Sequence, residues 1–91
     1  MIAMKIKEGF VLRRVLDEAI VIASGKASHD FHGMVKLNDS AADIWEWIAA
    51  GLSETDIAGK LAEKYELPAE KAKTDTAAMI SQMTEVGLLE I

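Results

Sequence analysis

Gly33-Met34-Val35-Lys36-Leu37-Asn38-Asp39-Ser40-Ala41-Ala42-Asp43-Ile44-Trp45 is the stretch where the period of this chain changes. From Met34 to Leu37 side chains alternate, with Val35 and Leu37 on one face and Met34 and Lys36 on the other. From Ala41 onward the apolar residues Ala41, Ile44, Trp45, Ile48 and Leu52 recur at helical spacing. A short strand therefore runs straight into a helix, and the face bearing Leu37 is the core face. Asn38 or Ser40 can cap that helix, and Ser40 with Asp43 matches a capping box. Gly51 ends it.

Toward the N-terminus, Phe10 to Leu16 is apolar except for Arg13 and Arg14. Asp17-Glu18 reads as a tight turn, and Ala19 to Ala23 has strong β-propensity. These two segments form a hairpin, and Ser24 to His32 is a polar connection to the third strand. Toward the C-terminus, Ser53-Glu54-Thr55-Asp56 opens a second helix that buries Ile57, Leu61 and Tyr65. Pro68 is tolerated at the first turn of a third helix. One face of that helix carries Ala72, Thr76, Met79, Ile80, Met83 and Val86, and Gly87 stops it. Leu88 to Ile91 is an apolar tail that packs back on the core. The expectation is an α+β fold, a three-stranded antiparallel sheet followed by three helices. No repeat or linker divides it, so residues 1–91 read as a single domain. Leu37, Ile44, Trp45, Ile48, Leu61 and Ile80 are its expected core.

Composition narrows the function. The chain has 91 residues, a mass of 9.9 kDa, a net charge of −5 and 51% hydrophobic residues. One core of this size buries roughly 64% of the extended chain's surface. There is no cysteine, hence no disulfide framework, zinc-thiolate site or thiol nucleophile, which fits a cytoplasmic location. No apolar run nears membrane-spanning length. The run Ala19 to Ala23 is preceded by Arg13, Arg14, Asp17 and Glu18, which would break a secretion signal. The negative charge argues against nucleic acid and anionic membranes.

The catalytic inventory is thin. No nucleophile motif, phosphate-cradling glycine loop or cofactor fingerprint occurs, so neither enzyme activity nor a cofactor is expected. His29-Asp30-Phe31-His32 has metal-ligand chemistry but no further ligand cluster nearby, and reads as a polar connection rather than a metal site. Trp45 lies on the apolar stripe. Trp47 points elsewhere on the helix, either marking an interface or partly buried under the hairpin or tail. Met34, Met79 and Met83 are adaptable side chains near a strand with a free edge. Sheet edges accept an added strand from a peptide.

The stretch from Asp30 to Trp45 resembles the signature region of the PqqD family: a glycine, a short apolar strand ending in Leu37-Asn38, small or acidic residues, then alanine and Ile44-Trp45. The resemblance continues through Gly51-Leu52-Ser53-Glu54, Leu61 to Tyr65, Asp75 and Gly87-Leu88-Leu89. It implies a winged-helix-like fold and a function as a recognition element for ribosomally made, modified peptides. Such domains bind the leader of a precursor peptide as an extra strand against the third strand, beside the third helix. They present it to a modifying enzyme, often a radical S-adenosylmethionine protein. Thr76 departs from the larger aliphatic residue common there, and His32 from the frequent asparagine.

On that reading Met34, Val35, Lys36 and Leu37 pair with the leader through their backbones. Met79 and Met83 floor a groove beside them. Asp75, Ala78 and Gln82 lie on one flank of the methionine stripe, and Lys71 is a candidate for a leader carboxylate. The expected state is a monomer or weak homodimer. Two rivals come from other classes. A winged helix can bind DNA, but the third helix carries Lys71 and Lys73 against Glu70, Asp75 and Glu85, a poor match for phosphate. An acyl-carrier-like protein modified at Ser40 is the other, although that fold is all-helical.

Overall fold

A computed structural model describes residues 4–25 and 34–90 of the chain. The elements run β1 (Lys5–Ile6), β2 (Phe10–Val15), β3 (Glu18–Ala23), β4 (Met34–Leu37), α1 (Asp39–Ala49), α2 (Glu54–Tyr65), α3 (Ala69–Glu85) and β5 (Leu89–Glu90). The three-stranded antiparallel sheet has the order β2-β3-β4. It precedes three helices, as expected. Residues 26–33, which hold most of the polar connection, the His29-Asp30-Phe31-His32 motif and Gly33, lie outside the described residues, as does Ile91.

The register explains the burial of the sheet. Leu12, Val21 and Val35 align across it, and so do Ala19 and Leu37. Val21 is fully buried and Ala19 nearly so, while Val35 and Leu37 are half-buried against the same core. Leu37 is thus less enclosed than expected, because β4 is an edge strand. The hairpin turn falls one residue earlier than expected, at Leu16-Asp17. Val15 pairs with Glu18, so Glu18 already belongs to β3. Leu16 takes a left-handed φ of 59°.

The helices supply most of the remaining core. Ile44, Trp45 and Ile48 of α1 meet Ile57 and Leu61 of α2 and Ala72, Ile80 and Met83 of α3. Asn38, not Ser40, caps α1: its Oδ1 accepts from the Ala41 amide at 2.9 Å and from Ser40 Oγ at 3.2 Å. Asp43 is drawn away from the expected capping box, toward α2. Ser53 caps α2 by accepting from the Asp56 amide. Two helix ends are closed by glycine in a Schellman motif. At α1 the Leu52 amide donates to Trp47 and the Gly51 amide to Ile48. At α3 the Leu88 amide donates to Met83 and the Gly87 amide to Thr84. Gly51 and Gly87 have φ of 92° and 85°, open to glycine at little cost.

The second closure turns the chain so that Leu88 and Leu89 are buried and β5 pairs with β1. The apolar tail packs back as expected, but as a strand. With its partner, Lys5–Ile6, it makes a second, two-stranded sheet that the sequence reading did not contain. Trp47 is half-buried against the core and shares a surface hollow with Lys60, Glu63 and Lys64 of α2. Val86 is exposed, although its helical position suggested the buried face. It is the C-cap residue of α3, where the helical wheel no longer holds.

Trp45 is 4% exposed at the centre of this core. Trp45→Ala should cost about 3–5 kcal/mol, a large part of the stability of so small a domain. Chemical denaturation checks this; a midpoint near that of the parent would overturn the core assignment. Thr76 is fully buried and its hydroxyl has no partner. Replacing it by isosteric valine removes an unsatisfied buried polar atom. Thr76→Val should therefore raise stability by about 1 kcal/mol, read from the same denaturation curves.

Candidate functional site

The site begins at an unpaired edge. Among the described residues β4 pairs only with β3. In an antiparallel strand consecutive residues turn their backbone groups to opposite sides. Half of the β4 amides and carbonyls therefore face outward with no strand beside them.

Alongside this edge runs a groove of about 250 Å³ between β4 and α3. Val35, Lys36 and Leu37 form its strand side, and Met79, Gln82 and Val86 its helix side. Met83 and Leu88, 2% and 1% exposed, close it underneath. At Asn38, Met79 and Gln82 it continues into a wider pocket of about 580 Å³. There Asn38, Asp39 and Ser40 from the start of α1 face Asp75 and Ala78 of α3, with Ile44 and Leu61 below. Tyr65 and Leu67 complete the lining.

The structure thus gathers most of the residues named from sequence. Val35, Lys36, Leu37, Asp75, Ala78, Met79, Gln82 and Met83 all line one continuous groove. Two do not. Met34 is 70% exposed and belongs to the opposite face of the sheet, with Ile22 and Val11. Lys71 lines neither part, and its Nζ lies 3.4 Å from Asp75 one turn along α3. Ser40, the candidate for acyl-carrier modification, donates its hydroxyl to Asn38 inside a cap. The sheet itself is incompatible with the all-helical carrier fold.

One wall residue is held by a polar network. The Tyr65 hydroxyl donates to Asp43 Oδ2, and Lys64 Nζ lies 2.8 Å from the same oxygen. Burial would raise the Asp43 carboxyl, but hydrogen bonds from Lys64 and Tyr65 outweigh it and hold the pKa below the ordinary carboxylate range. Burial, then the hydrogen bond to Asp43, pushes Tyr65 up to about 12. The network fixes the ring of Tyr65 as the end of the wider pocket. Sequence reasoning placed Tyr65 only as a buried residue, whereas it is half-buried, and Asp43 only as a cap. The available signal was a carboxylate directly before Ile44-Trp45 on the buried stripe, which demands a partner.

The described residues contain no group of three or more metal-ligating side chains. No described helix is long and apolar enough to cross a membrane.

A three-stranded sheet followed by three helices, with an open edge strand over an apolar groove, defines a small α+β module built to present one backbone edge. A family model, coenzyme PQQ synthesis protein D (PqqD), matches residues 18–89. The chain belongs to the PqqD family. No curated protein matches it. Its fold is similar to that of a lasso peptide synthetase B1 complexed with the leader peptide. The TM-score is 0.80 at 22% identity, over 97% of this chain and 98% of that one. It is also similar to TbiB1 in complex with the TbiA(beta) leader peptide. Here the TM-score is 0.79 at 17% identity, over 94% of both chains.

The network makes a pH prediction with a defined sign. Asp43 has a depressed folded pKa, so its contribution is full above the unfolded value near 3.9 and is lost as pH falls through the folded value. Tyr65 has a raised pKa, so its contribution is full below about 10 and is lost as pH rises toward about 12. Tyr65→Phe should lower stability at neutral pH by about 1–2 kcal/mol. It should also move the carboxyl-carbon titration midpoint of Asp43 upward in NMR. An unmoved midpoint would show that the hydroxyl does not hold the carboxylate.

Proposed function

We propose that this protein is a non-catalytic, cytoplasmic recognition module, a single domain over residues 1–91. It binds the leader of a ribosomally made precursor peptide by strand addition to β4. It then presents that peptide to a modifying enzyme of the radical S-adenosylmethionine or another class. The observation that carries this reading is the coincidence of an unpaired strand edge with an apolar groove along the same edge. An added strand satisfies the outward amides and carbonyls of β4 without needing any particular side chain there. Side chains alternating along the added strand then enter the groove, which gives selectivity.

Family membership supports the reading, and so does the fold shared with two proteins solved in complex with leader peptides. The site residues are Val35, Lys36 and Leu37 for backbone pairing, Met79 and Met83 for apolar contact, and Asp75, Ala78 and Gln82 for the flank. Met34 takes part through its backbone alone. Nucleic acid is disfavoured as a partner because α3 carries net negative charge.

The test is a labelled-amide NMR titration with candidate precursor peptides encoded in neighbouring reading frames. Shifts should concentrate on residues 34–41 and 75–88. Shifts confined to the β2–β3 hairpin or to α2 would sink the site. Of Val35→Pro and Lys36→Pro, one removes an amide that faces β3 and should lower the melting temperature. The other removes an edge amide and should weaken peptide binding roughly tenfold with little effect on melting. Affinity should fall only modestly from low to moderate salt, because backbone pairing and apolar contact dominate. A steep fall would indicate an electrostatic partner instead.

A further inference from the structure

We propose that the wider end of the groove is a pocket for one long basic side chain, lysine or arginine, of the bound peptide. The inference rests on the peptide-binding reading above and specifies the chemistry of the ligand at one position. The pocket encloses about 580 Å³. Its depth is apolar: Ile44 and Leu61 are each 1% exposed, and Met79 is half-buried. Its rim is acidic. Asp39 stands in the first turn of α1 and Asp75 on α3, and among the described residues these are the only charged ones that line it.

An apolar interior under a carboxylate rim suits a side chain with a hydrocarbon stem and a cationic head. A wholly apolar ligand side chain fills the interior but offers no cation to Asp39 at the rim, where Asp75 is already paired with Lys71. An acidic one meets like charge. The surroundings act in the same direction. Past the end of β4 the surface opens into a shallow hollow lined by Asp17, Glu18, Lys36 and Asp39. The nearby cations are already engaged: Lys36 with Glu18 at 2.7 Å, Lys71 with Asp75 at 3.4 Å, Arg14 with Glu46 at 2.9 Å and Lys64 with Asp43 at 2.8 Å. Asp17 and Asp39 have no ion-pair partner among the described residues. An added strand that leaves β4 at Asn38 therefore enters a region of negative potential, and a basic residue just beyond the paired segment complements it. The narrower part of the groove, lined by Val35, Leu37, Met83 and Leu88, is left for apolar side chains.

Random peptides displayed on phage are selected against the full chain, and each selected peptide is titrated into labelled protein. Peptides that shift residues 34–38 should share a lysine or arginine. Replacing that residue by norleucine should weaken binding roughly tenfold. Asp39→Asn and Asp75→Asn should each weaken the parent peptide roughly fivefold and the norleucine peptide much less, with melting temperature and amide spectra reporting that the variants are folded. Selected peptides that shift residues 34–38 but share no basic residue overturn the basic pocket and leave strand addition standing. Equal binding of the norleucine peptides does the same. Loss of norleucine-peptide binding in the two variants also counts against a charge contact, since it reports a change in groove shape. A selection whose binders leave residues 34–38 unshifted, or that yields no binder, overturns the peptide-binding reading and the pocket with it.

Discussion

Asn38 is the residue on which the arrangement turns. It alone separates β4 from α1, and its side chain caps the helix by accepting from the Ala41 amide. With no linker, the direction of the strand fixes the direction of the helix. The pleat that puts Val35 and Leu37 on the core also fixes which backbone groups face outward. The same junction sets the start of α1, with Asp39 and Ser40, at the rim of the wider pocket. Edge, groove and pocket are consequences of one short connection.

The opposite wall is placed by a second local constraint. Gly87 closes α3 in a left-handed turn and sends Leu88 back beneath the groove. The Lys7 amide donates to the Leu88 carbonyl, and β5 pairs with β1. The N-terminal segment thus clasps the C-terminal one against the core. Tyr65 is held by Asp43, so the far end of the pocket is a rigid ring rather than a mobile side chain. An open edge leaves backbone groups to water. The fold tolerates this because the rest of β4 is anchored by burial on one side and by β3 on the other.

Charge is organised on the same plan. Arg14 pairs with Glu46, Lys36 with Glu18, Lys64 with Asp43 and Lys71 with Asp75. Apart from Asp43, whose carboxylate is nearly buried, these pairs are exposed and individually contribute little to stability. Their larger effect is on the surface potential. Cations near the groove are neutralised locally, while Asp17 and Asp39 have no ion-pair partner among the described residues and leave negative charge at the end of β4.

Much of this was legible in the residues themselves. Alternation in Met34 to Leu37, the helical stripe from Ala41, the capping residues and the glycine stops are local signals, carried by neighbours two to four positions apart. They determined the order of elements, most of the core and the PqqD resemblance. They also pointed to Met79, Met83, Asp75 and Gln82 beside an edge strand. What only the tertiary structure decided are pairings between residues far apart in the chain. Asp43 meets Tyr65 across two helices, and Lys5–Ile6 finds Leu89–Glu90 from the other end. Met34 is turned to the outer face and Lys71 is kept out of the groove. A side chain's neighbours along the chain follow from backbone geometry, whereas its partners across the fold depend on how helices and sheet pack, which no local period encodes.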